Sequence, residues 1–194
     1  MTQTAPTSPI DAGTARHLNH VELLYRPGER ELAKRVFELL GFRVMDRSGT
    51  FFTAFVEPGE SDFANNAVYA SEVTEEQWAL ERALDAALGS DGDVGVTARA
   101  YLDRLRHEPQ RSFHFGVRYP SVEALDATLA RIDDVGATDP ELAGRVAVSG
   151  VYRPGDPGSY TDTMVQAFAR TDVVAAGILA FGQHVELQYQ IPPA

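Results

Sequence analysis

The chain has 194 residues and a formal net charge of −11, from 28 acidic and 17 basic side chains. That balance opposes nucleic acid and anionic membranes as partners, because both need a positive field, and no apolar run approaches the ~18 residues of a membrane span. With no cysteine in the chain, disulfides, thiolate metal sites and a Cys nucleophile are excluded, and any metal must be held by nitrogen and oxygen.

Residues 1–16 are rich in Thr, Pro and Ala, with neither a basic start nor an apolar centre. They predict a flexible tail rather than a secretory leader, and a cytoplasmic chain. His17 to Tyr25 predicts a strand, with Val21, Leu23 and Tyr25 on one face and His20, Glu22 and Leu24 on the other. Apolar residues at helical spacing from Glu29 to Leu40 predict a helix that Gly41 stops. Strands are expected over 42–46, 50–56 and 67–73, closing a first module over 17–73.

Thr74-Glu75-Glu76-Gln77 reads as a capped helix start. It opens a segment of two helices, residues 74–108, expected as an insertion that Pro109 closes. The first pattern then returns within 109–194. A strand is predicted over 111–119, with His114, Gly116 and Arg118 on one face, and a helix follows from the Ser121 cap to about Asp134. Strands are expected over 145–152, 164–170 and 178–190, with a Pro/Gly loop over 153–160. In the last strand Val185, Leu187 and Tyr189 alternate with His184, Glu186 and Gln188. The expected fold is therefore α+β, two βαβββ modules in one compact domain with a helical insertion between them.

His20 and His114 fall on the first strand of each module, and Glu186 on the last strand of the second. Two imidazoles and a carboxylate form an N/N/O set for a divalent first-row metal with open coordination positions. Together with Phe37-Glu38-Leu39-Leu40-Gly41-Phe42 at the end of the first helix, this repeat resembles the vicinal oxygen chelate superfamily, the group of glyoxalases, bleomycin-resistance proteins and type I extradiol dioxygenases. The resemblance covers roughly residues 18–190 apart from 74–108. It implies modules curled into a cup-shaped mixed sheet around a metal, and the His, His, Glu set is the extradiol pattern. By size and overall likeness the chain looks most like small L-DOPA 2,3-dioxygenases of natural-product pathways.

The implied cofactor is Fe(II), with Mn(II) as its substitute. The implied partners are a small catechol and O2, and a homodimer or higher homo-oligomer is expected. His184, Tyr160 and His107 are the candidate acid/base residues. Arg153, Arg118 and Glu72 are the candidates for an amino-acid side arm of the substrate. Two alternatives remain. The first is a glyoxalase-like metal-dependent isomerase or lyase, whose fourth ligand aligns with Ala70 and which a slip of two residues would restore at Glu72, Glu57 being a weaker candidate. The second is a metal-free binding or resistance protein.

Overall fold

A computed structural model describes residues 18–46, 48–63 and 65–192; the expected tail, 1–16, lies outside them. The first module comprises strand β1 (His20–Tyr25), helix α1 (Arg30–Leu39), and strands β2 (Arg43–Asp46), β3 (Phe51–Phe55) and β4 (Ala67–Glu72). Helices α2 (Glu75–Leu88) and α3 (Asp93–His107) follow. The second module comprises β5 (His114–Arg118), α4 (Val122–Asp133), a short helix α5 (Val135–Thr138), β6 (Val146–Tyr152), β7 (Met164–Thr171), a two-residue β8 (Val174–Ala175) and β9 (Gln183–Gln190). The fold is α+β, built on two mixed sheets.

The repeat is visible in the strand order. The first sheet runs β2-β3-β4-β1-β8 and the second β5-β9-β7-β6. In each, the first strand of the module lies parallel to its last, and the remaining pairings are antiparallel. The extra strand β8 comes from the second module and pairs with the edge of β1 through Leu24 and Tyr25. It ties the two sheets together and blunts an open edge.

Alternation sets the layers. Leu23, Tyr25, Phe52, Ala54, Val68 and Ala70 turn one face of the first sheet toward Ala33, Val36 and Phe37 of α1. Val117, Val185, Leu187, Val165 and Ala167 turn the equivalent face of the second toward Leu125, Leu129 and Ile132 of α4. These residues form one continuous core. The helices are joined where the Tyr119 hydroxyl donates to the Leu40 carbonyl at 2.6 Å and the Arg131 guanidinium donates to the Leu39 carbonyl. The other face of each sheet carries the polar residues.

One boundary departs from the periodicity. The predicted strand 178–190 is interrupted by a 3-10 turn, Leu179–Phe181, and begins at Gln183. Gly182 sits at φ +68, and a Cβ there would stand 2.6 Å from the Thr171 carbonyl oxygen, so only glycine admits this turn.

Candidate metal centre

The polar face of the second sheet can be read as rows across its strands. The pairing puts Arg170 of β7, His184 of β9 and His114 of β5 in one row, Phe168, Glu186 and Gly116 in the next, and Gln166, Gln188 and Arg118 in the third. His114 and Glu186 are diagonal neighbours, and His114 Nε2 lies 3.3 Å from Glu186 Oε2. Gly116 lies between them in the pairing, and a Cβ there would reach within 3.5 Å of that same oxygen. The missing side chain is what leaves the diagonal open.

Both partners are held from behind. His114 Nδ1 lies 2.9 Å from the Ser112 carbonyl oxygen, an acceptor only, so Nδ1 carries a proton and Nε2 is the nitrogen turned to Glu186. Glu186 is 5 % exposed, and its other oxygen accepts from Gln166 Nε2 at 2.5 Å. An imidazole nitrogen facing a buried carboxylate at this distance needs a positive charge between them, either a proton on Nε2 or a metal ion. The carbonyl behind the imidazole and the amide behind the carboxylate are the supports that metal ligands characteristically receive.

His20 stands on the polar face of the first sheet, exposed and stacked on Tyr69 with ring centroids 4.5 Å apart. Its Nδ1 donates to Asn19 Oδ1 at 2.8 Å, which leaves Nε2 as the nitrogen without a described partner. It borders a cavity of about 790 Å³ together with Gly116, and neither His114 nor Glu186 is in that lining. Among the described residues, however, no three His, Asp or Glu side chains converge into a metal-holding group. The described residues thus bring two candidate donors together, His114 and Glu186, and the third, His20, stands apart on the other sheet.

The strand register reassigns the fourth position. Glu22 pairs with Tyr69 as Gly116 pairs with Glu186, so the counterpart of Glu186 in the first module is Tyr69, not Ala70. Ala70 is fully buried on the helix-facing side. Glu72 shares that side and accepts from the Gly28 N–H at 3.0 Å, away from the His20 face. Tyr69 offers a phenol where an isomerase would need a carboxylate, and its hydroxyl donates to the Phe63 carbonyl at 2.6 Å. Glu57 lines the 790 Å³ cavity and accepts from the Gly59 N–H.

The remaining candidates separate by position. His184 is 4 % exposed, lies in the row of His114, and meets Ser149 Oγ through Nε2 at 3.1 Å. Burial, with smaller contributions from Arg170 and His114, pushes it down to about 4, so it is neutral at pH 7. His107 ends α3 on the surface, with its ring 74 % exposed and turned to Asp103. Tyr160 is 67 % exposed. Neither His107 nor Tyr160 is shown touching the His114–Glu186 pair. Arg153 donates to Asp126 of α4 at 2.6 Å and is committed there. Arg118 lines the 790 Å³ cavity beside Gly116. Sequence periodicity had no means of finding Gln166, Ser112, Ser149 or Tyr69, because each takes its place from a cross-strand register or a turn rather than from spacing.

The sequence matches no family model and no curated protein. Among solved structures, the chain is similar to one described as a possible glyoxalase from Bacillus cereus, with 15 % identity, 89 % of this chain and 98 % of that chain covered, and a TM-score of 0.40. It is also similar to a hypothetical protein of S. aureus, with 9 % identity, 89 % and 91 % covered, and a TM-score of 0.40. At this level of likeness the site stands on the chain's own residues.

Proposed function

We propose that the chain is a metal-dependent enzyme of the vicinal oxygen chelate type, an extradiol dioxygenase acting on a small catechol such as L-DOPA. The observation that carries the reading is His114 Nε2 facing Glu186 Oε2 at 3.3 Å, with both groups braced from behind. Fe(II), or Mn(II) in its place, would be held by His114 and Glu186, with His20 as third ligand. Such an ion supplies Lewis acidity and an electron path between a catecholate and O2.

The protein's own residues do the rest. Gln166 fixes the carboxylate plane, and Ser112 fixes the imidazole tautomer. The 790 Å³ cavity bordered by His20 and Gly116 falls within the ~300–1,000 Å³ of small-molecule pockets and has room for a single aromatic ring beside His20, while His114 and Glu186 lie outside its lining. His184, buried beside His114 with Nε2 on Ser149, stays neutral and adds no positive charge to the row of His114. Tyr69 in place of a carboxylate favours the three-ligand reading over a four-ligand isomerase.

Anaerobic loading with Fe(II), then L-DOPA, then air, tests the reaction. The expected result is O2 uptake matched to catechol consumed, with a yellow ring-opened product, lost in His114→Ala, Glu186→Ala and His20→Ala. Metal binding without O2 uptake on L-DOPA or simpler catechols would overturn the reaction. Turnover without O2, supported by Ni(II), Co(II) or Zn(II), would move the chain to the isomerase reading. Stoichiometric ligand binding without turnover would make it a binding protein.

A further inference from the structure

Behind His184 lies a second, smaller cavity of about 160 Å³, enclosed between α3 and the polar face of the second sheet. It falls below the ~300 Å³ of ordinary ligand pockets and has room for about five waters. That is space for one functional group. Leu105 of α3 and Phe181 form apolar parts of its wall, and the charged groups on it are Arg106, Arg170 and Asp172.

The charge balance of this wall is unusual for an acidic chain. Asp172 is already committed, to Arg145 at 3.0 Å and Arg26 at 3.6 Å. The side chains of Arg106 and Arg170 have no ion pair or hydrogen bond with any described residue. His184 keeps its Nε2 on Ser149. Two arginines without a counter-charge on one small cavity favour an anion there, and a planar guanidinium fork matches the two oxygens of a carboxylate or phosphate.

We propose that this cavity binds one compact oxyanion, held between Arg106 of α3 and Arg170 of β7. The anion is either the carboxylate of an organic ligand or free phosphate. The inserted helices gain a purpose from this, because α3 supplies a cation that neither module has at that place. Arg170 and His114 stand in one row two strands apart, about 10 Å, so an acid of that span would reach from the anion pocket to the His114–Glu186 pair. Binding of the anion itself requires no metal and stands or falls apart from the dioxygenase reading.

Calorimetric titration of the whole, metal-free chain with inorganic phosphate and with benzoate, each against chloride at matched ionic strength, tests it. Saturable binding of at least one oxyanion is expected, with no equivalent effect of chloride, and affinity about tenfold lower or worse in Arg106→Gln and in Arg170→Gln. Saturation by benzoate assigns the site to an organic carboxylate, and saturation by phosphate alone to the free ion. Arg106 is exposed on its helix, so Arg106→Gln decides the matter even if Arg170→Gln fails to fold. Failure of both anions to bind, an equal effect of chloride, or wild-type affinity in Arg106→Gln would overturn the proposal.

Discussion

At the scale of single residues, the site depends on groups that never touch a ligand. Gln166 Nε2 holds one oxygen of Glu186 and leaves the other facing His114. Replacing it by Met keeps most of the volume and removes the donor. Supporting residues of this kind are worth about 10–100-fold in metal affinity, and that loss is the expected result for Gln166→Met in an anaerobic Fe(II) titration, with an unchanged circular dichroism spectrum. Affinity equal to wild type would show that the carboxylate needs no such brace. His114 and Glu186 were legible from the alternation of their strands, since period two assigns each to the polar face. Gln166 was not, because its place depends on which residue of β7 lies opposite Gln188. The same limit displaced the counterpart of Glu186 from Tyr69 to Ala70: a slip of one residue in a strand exchanges the two faces.

At the scale of elements, the inserted helices are docked by a buried acid. Glu81 of α2 is 1 % exposed and accepts from the backbone N–H groups of Leu179 and Ala180 at 3.0 and 3.3 Å, in the turn that launches β9. Glu81→Ala strands both donors in an apolar setting, at a cost of about 1–3 kcal/mol for each unsatisfied group. The expected reading is a lower urea midpoint with an unchanged slope, and an unchanged midpoint would show that water takes over both donors. A second staple joins α1 to β2. Hydrogen bonds from Arg30 and Lys34 hold the Asp46 carboxyl well below the usual carboxylate range. Its contribution to stability is therefore complete above the unfolded value near pH 4 and is lost as pH falls through the lower folded value. Asp46→Asn should remove part of the stability at pH 7 and flatten the acid limb of a midpoint-versus-pH curve, and a parallel curve would contradict this. The elements themselves were readable where caps and periodicity agreed, as at Thr74 and Ser121, whose side chains accept from Gln77 and Ala124. β8 was not, because two residues pairing with a distant strand leave no periodic trace.

At the scale of the whole molecule, the modules are joined by a shared core and by polar links, the most extended of them centred on Arg145. Arg145, entering β6, donates to both oxygens of Glu29 before α1, at 2.8 and 3.1 Å, and to Asp172 after β7 at 3.0 Å. Charge-assisted bonds of this kind carry about 1.5–3 kcal/mol when partly buried. Arg145→Ala should lower stability by about 2 kcal/mol, and loss of a single cooperative transition would show that the network also couples the modules. The repeated strand order is what places His20 and His114 at equivalent positions on two sheets, and it was legible as two passes of one pattern. The distance between those sheets was not, since no local signal encodes how modules dock.

That docking decides whether His20 joins the pair, and with it the central claim. The most direct measurement is the stoichiometry and affinity of Fe(II) bound under anaerobic conditions by the wild-type chain, His114→Ala, Glu186→Ala and His20→Ala. One ion per chain is predicted, with affinity reduced at least about 10–100-fold in each variant. Absence of binding to the wild-type chain, or binding unaltered in His114→Ala and Glu186→Ala, would contradict a metal centre on this face of the second sheet.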